Sequence, residues 1–124
     1  MLFSEYMQRN YQNKFYTKAQ NLVQLLTREY NRVLKDYDVM IMPTLPGKPF
    51  KLPTTSNSTQ ETLKLLLGMV KNTAPFNSTG HPVLTINAGF SEGLPCAMSI
   101  VGKMFDEVTI LQVARAYEKI RDGS

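Results

Sequence analysis

Between Ser4 and Lys35 the chain contains neither Gly nor Pro, and Phe15, Ala19, Leu22, Leu26, Tyr30 and Val33 return at three- and four-residue steps. That spacing matches the 3.6-residue repeat and predicts one long amphipathic helix within residues 1–36. Its first third sets Tyr6, Tyr11 and Tyr16 among polar residues, a face suited to packing against a neighbour. Val39, Met40, Ile41 and Met42 then form a short apolar run stopped by Pro43, which reads as a buried strand. Pro43, Pro46, Pro49 and Pro53, with Gly47, forbid regular structure over the residues that follow.

The pattern resumes at Ser58. Glu61 stands three residues after it, the spacing of a capping box, and Leu63, Leu66, Leu67 and Val70 follow at helical steps, so a second helix is predicted over Thr59–Val70. Asn72–Pro82 is polar and interrupted by Pro75 and Gly80, as in a short helical turn closed by a left-handed glycine. Val83–Asn87 and Pro95–Val101 read as two strands joined by a hairpin through Gly89 and Ser91-Glu92-Gly93. Asp106 is placed to cap a last helix whose apolar face is Ile110, Val113, Ala114, Tyr117 and Ile120. The fold class expected is α+β or a partial α/β layer, with helices on a small mixed sheet. One domain is expected over 1–124: a long helix (1–36), a strand and Pro-rich loop (37–57), and a helix, two strands and a helix (58–124).

Composition narrows the function classes. With 43% hydrophobic and 19% charged residues the chain is an ordinary globular sequence of 124 residues. Its formal charge of +4 is scattered from Arg9 to Arg121, with no motif that reads a nucleic-acid groove, so no nucleic-acid partner is expected. No run approaches the ~20 apolar residues of a membrane span, and the first residues are too polar for a secretory signal. The single cysteine, Cys96, lies in an apolar run and is expected buried and reduced, so a cytoplasmic location is expected.

Candidate chemistry is sparse. Ser4, Ser56, Ser58, Ser78, Ser91, Ser99 and Ser124 stand outside any Gly-x-Ser-x-Gly elbow or Gly-Gly-Ser-Ser run, so none is assigned as a nucleophile and no catalytic residue is assigned to the chain. His81, the lone histidine, is read as structural, and one His with one Cys offers too few ligands for a metal, so no metal or cofactor is expected. Asp106 and Glu107 are neighbours at a helix start and are read as a cap rather than an acid/base pair. Asn72, Thr73, Asn77 and Thr79 put amide and hydroxyl groups on an irregular segment, suited equally to hydrogen-bonding a substrate or to capping and turning the chain.

Four blocks carry a resemblance. From Asn72 to Gly80 and on to Phe90 the text runs Asn-Thr-Ala-Pro-Phe-Asn-Ser-Thr-Gly-His-Pro-Val-Leu-Thr-Ile-Asn-Ala-Gly-Phe. Gly-Leu-Pro-Cys-Ala-Met-Ser-Ile-Val-Gly-Lys follows at 93–103 and Phe-Asp-Glu-Val-Thr-Ile-Leu at 105–111, while Tyr37-Asp38-Val39-Met40-Ile41-Met42-Pro43-Thr44 lies upstream. In this order they resemble the C-terminal portion of the amidase-signature family. The resemblance implies an αβα fold in which this region supplies strands and outer helices around a larger sheet. It implies hydrolysis of carboxylic amides through a serine nucleophile, a second serine in a cis peptide and a lysine base, all N-terminal to the matched part, the serines in a Gly/Ser-rich segment. It also implies that Asn72, Thr73, Asn77 and Thr79 pass near the acyl pocket, with Pro43, Thr44, Leu45 and Pro46 bordering the same cavity.

The function expected is therefore that of a C-terminal amidase fragment, inactive alone for want of the Ser-cisSer-Lys segment. Its expected partner is the missing N-terminal core or a second copy of itself, and the small amide substrate belongs to the full enzyme. The alternative is a stand-alone binding or interaction protein that keeps the scaffold without the chemistry.

Overall fold

The computed structural model describes Glu5, residues 14–48 and residues 58–123. Tyr6, Tyr11, Pro49 and Pro53, which contribute to the sequence pattern, lie outside these residues.

Helix α1 runs Lys14–Asp36. Its inward stripe is Val23, Leu26, Thr27, Tyr30, Val33 and Leu34, of which Leu34 is fully buried. The period is as expected, but the stripe is rotated from the one read in the sequence: Phe15 and Leu22 are exposed and Leu34 takes the buried position. Strand β1, Val39–Pro43, follows after two residues. It was expected buried, yet Ile41 is 59% exposed, because β1 is an edge strand.

Helix α2 runs Thr59–Met69. The capping box is formed: Glu61 N donates to Ser58 Oγ at 3.2 Å, and Ser58 N donates to Glu61 Oε2 at 2.9 Å. Those two bonds satisfy donors that a helix start otherwise leaves unpaired. No α2 side chain is buried, and Leu63, Leu66 and Leu67 are exposed. Helix α3, Ala74–Thr79, begins with Pro75 in its first turn and closes on Gly80, whose φ of 77° is left-handed. Helices α1 and α3 pack on each other.

Strands β2, Val83–Ser91, and β3, Leu94–Gly102, form the expected hairpin, each longer than read from the sequence. The loop residues Glu92 and Gly93 both have positive φ, 54° and 76°, a two-residue turn whose twist matches that of the strands. The sheet order is β1-β3-β2. A mixed sheet was expected; among the described residues both pairings are antiparallel. An extra residue interrupts β2 between Asn87 and Gly89. The bulge is held from outside, with Tyr117 Oη donating to Ala88 O at 3.2 Å and Arg121 Nη1 to Asn87 O at 2.8 Å.

Both of those side chains come from helix α4, Glu107–Asp122. Asp106 caps it as expected, accepting from Thr109 N at 3.3 Å and Thr109 Oγ1 at 2.8 Å. Helix α4 packs Ile110 and Ala114 on Ile100, with Val39, Leu84, Ile86 and Val113 around them. Burying a side chain of Ile100's kind contributes about 1.5–3 kcal/mol relative to leaving it in water. Register places Ile41, Ile100 and Leu84 in one cross-strand row and Met42, Ser99 and Thr85 in the next, so these rows face opposite sides of the sheet. Helix α4 covers the first side; the second carries the site.

Candidate functional site

On that second side a cleft of about 310 Å³ opens between α3 and β2, lined by Thr73, Phe76, Asn77, His81, Val83 and Thr85. The local sequence explains why it exists. Val83 and Thr85 are two apart on a strand and project to the same side, while Gly80 ends α3 and turns the chain through His81 and Pro82 into β2. The short helix therefore stands over the strand it feeds.

The inner wall is aromatic. Phe76 is buried, with its ring centroid 5.2 Å from that of Tyr30 on α1, and Tyr30 also meets the His81 ring edge-on at 5.5 Å. His81 Nδ1 lies 3.0 Å from Thr79 Oγ1 and Nε2 lies 3.2 Å from Asn31 Oδ1. The neutral ring with its proton on Nε2 satisfies both contacts, donating to Asn31 and accepting from the Thr79 hydroxyl. Burial pushes the His81 pKa below its ordinary value, in keeping with that neutral form. With both nitrogens engaged, His81 acts as a brace between α1 and the start of β2.

The floor is bonded to itself as well. Thr85 Oγ1 is 3.3 Å from Ser99 Oγ, which is 2.7 Å from Thr44 Oγ1, a row of hydroxyls crossing the sheet. Ser99 is 2% exposed. The other described serines with side-chain bonds engage backbone or their own cap: Ser58 holds Glu61, and Ser78 Oγ reaches Ala74 O at 3.4 Å. None of these partners is a lysine or histidine, and the one carboxylate, Glu61, is engaged in the helix cap with Ser58. Among the described residues no three His, Cys, Asp or Glu side chains converge on a point.

The four residues singled out from the sequence separate here. Thr73 and Asn77 line the cleft. Thr79 is buried and bonded to His81. Asn72 turns away, its Nδ2 donating to Pro43 O at 2.8 Å, so that it ties the end of β1 to the turn before α3. Pro43 and Thr44 are thus structural ties, and the cleft lining includes neither. Phe76, Val83 and Thr85 were not singled out, although the alternation of Val83 and Thr85 on β2 was the available signal. Cys96, expected buried, is exposed. The run around it is apolar, but it lies on the exposed half of β3, toward the hairpin turn.

Known proteins resemble this chain along most of its length. A protein of unassigned function from Rhodococcus erythropolis, encoded in the nthA 5' region, is 45% identical over 106 residues, covering 86% of this chain and 53% of its own. The enantioselective amidase of Rhodococcus rhodochrous is 43% identical over 102 residues, covering 82% of this chain and 20% of its own. The crystal structure of a Glutamyl-tRNA(Gln) amidotransferase component from Thermotoga maritima superposes with a TM-score of 0.71 at 27% identity, covering 96% of this chain and 25% of that one. The chain thus spans about half the length of the first relative and a fifth to a quarter of the other two. The amidase family model matches residues 1–111, and the chain belongs to that family.

Proposed function

We propose that this chain forms one wall of the acyl site of an enzyme that hydrolyses carboxylic amides, and that the nucleophilic serine and its lysine base come from polypeptide outside it. The observation that carries the reading is the cleft between α3 and β2, where Thr73 and Asn77 meet Phe76 and Val83, and where the hydroxyl beside His81, that of Thr79, is buried away from the lining. The Asn77 carboxamide makes no side-chain hydrogen bond among the described residues and is the polar group left to meet a substrate. Thr73 stands beside it; Asn72 and Thr79 serve by holding the segment in place.

The test is to graft this chain in place of the matching portion of the Rhodococcus rhodochrous enantioselective amidase and follow ammonia release from simple amides. The chimera should turn over while the chain alone stays at buffer background. Turnover by the chain alone, or a folded chimera inert on every amide offered, would sink the proposal.

The apolar side of α2, with Leu63, Leu66 and Leu67 exposed, suits burial against the remainder of an amidase domain. Alone, the chain would cover that side with a second copy, and a monodisperse monomer by light scattering at micromolar concentration would count against this. The same side favours the second reading, a non-catalytic interaction module, which predicts a stable complex with a partner and an inert chimera. A cytoplasmic setting fits the exposed, unpaired Cys96 thiol, which persists where glutathione keeps thiols reduced.

A further inference from the structure

Several polar side chains of the cleft already bond within the protein. The His81 nitrogens are taken by Thr79 and Asn31, the Thr85 hydroxyl by Ser99, and the Thr73 hydroxyl approaches Val70 O at 3.4 Å. Toward the cleft the protein presents Phe76, Val83, the two threonines and one neutral amide, Asn77, so that polar and apolar atoms share a surface with no formal charge on these side chains. None of the lining side chains is a lysine, arginine, aspartate or glutamate, and burial lowers the pKa of the one titratable group, His81.

A ligand carboxylate placed against such a wall gives up part of its water and gains no cation. Burying an unpaired ion is among the costliest exchanges available to a binding site, whereas a branched alkyl or aryl group of the same size gains by leaving water. A single amide donor cannot substitute for the paired or bidentate contacts that carboxylates receive where they are bound well. The asymmetry between the two kinds of ligand is therefore large.

We infer that the wall built by α3 and β2 selects amides whose acyl part is uncharged, and rejects those carrying a carboxylate, with Val83 and Thr85 on β2 as the residues that set the choice. The inference rests on the proposed acyl site and deepens it by naming its substrate class. It concerns residues that the sequence pattern alone did not single out, and it divides the relatives' chemistries: a glutamyl-type amide would meet no charge partner on this wall.

The test uses the full chain and two amides of matched shape. 4-Methylpentanamide and succinamate differ in an isopropyl group against a carboxylate. Methyl and backbone NMR signals of Thr73, Val83 and Thr85 are followed as each is added to the same concentration. The neutral amide should shift these signals saturably, and succinamate should require at least about 10-fold more ligand for the same response. In Thr85→Arg, which puts a cation on the floor while Ser99 keeps its bond to Thr44, succinamate should become the stronger ligand. Should the variant fail to fold, the wild-type pair decides alone. Equal or tighter binding of succinamate by the wild type, or no response to either amide at these signals, would overturn the inference. Hydrolysis by the chimera is measured separately, so a chimera that prefers succinamate would leave amide hydrolysis standing while removing this selectivity.

Discussion

Gly102, the last residue of β3, sits where the sheet meets α4. A Cβ added there would stand 2.6 Å from Ile110 Cγ2, 3.3 Å from Asp106 O and 3.6 Å from Pro82 Cγ. Non-bonded carbons rest at roughly 3.5–4.0 Å, so Ile110 would have to retreat by about 1 Å. It has little room to do so, because Ile110 is 4% exposed and packs on Ile100 and Ala114. Overpacking of this kind costs about 1–3 kcal/mol, against which replacing glycine returns about 0.4–1 kcal/mol by restricting the unfolded chain. Gly102→Ala should therefore lose roughly 1–2 kcal/mol and lower Tm by about 3–8 °C. Urea unfolding should show the midpoint fall with the slope unchanged. The mechanism is checked by Ile110→Leu, which removes the Cγ2 branch. Combined with Gly102→Ala, it should be less destabilising than the sum of the two single changes by about 0.5 kcal/mol or more. A Gly102→Ala protein within about 0.5 kcal/mol of wild type, or a strictly additive pair, would refute the steric argument.

His81 predicts a pH dependence. Its folded pKa lies below the ordinary 6.5 because burial disfavours the charged ring, so the unfolded chain takes up the proton first as pH falls. Stability should be level above pH 6.5 and decline below it toward the lowered folded value, and His81→Gln should flatten that decline in urea midpoints taken from pH 7.5 to 5. Tyr117→Phe deletes the hydroxyl that satisfies the bulge carbonyl of Ala88 and should cost about 1 kcal/mol by thermal melting, with no loss if water replaces it at once. Ser58→Ala removes one half of the capping box and should cost about 1 kcal/mol, read as lost helicity in α2; an unchanged spectrum would deny α2 its cap. Cys96 should react stoichiometrically with a thiol reagent under native conditions, whereas labelling only after denaturant would contradict its exposure.

Local chemistry made much of this fold readable. Ser58 with Glu61, Asp106 before its helix and Gly80 after its own declare themselves because each supplies a hydrogen bond or a backbone angle that few residues provide. The four-block resemblance led to the right family for a similar reason: the Pro75-Phe76-Asn77 turn and the glycines around the hairpin meet local needs. Burial was harder, because it depends on what lies opposite. Leu22 and Leu34 both fit a helical period, and only the placement of α1 decides that Leu34 is the covered one. Cys96 and Ile41 lie in apolar runs, yet one is on the exposed end of β3 and the other on an outer strand. In the candidate site the polar residues drew notice, while the cleft floor was set by the register of β2 against β3, which pairs Thr85 with Ser99 and is not written in either segment alone.

Burial along β3 does not alternate as on an ordinary half-covered strand; it climbs from exposed at Leu94–Ala97 to buried at Ser99–Gly102. The hairpin is in effect a cantilever, clamped where α4 packs on it and tied at its Glu92-Gly93 tip by the exposed ion pair of Glu92 with Lys48. Its amides should therefore trade hydrogen for deuterium in order of distance from the clamp, the tip through brief fraying and the root only when the whole molecule opens.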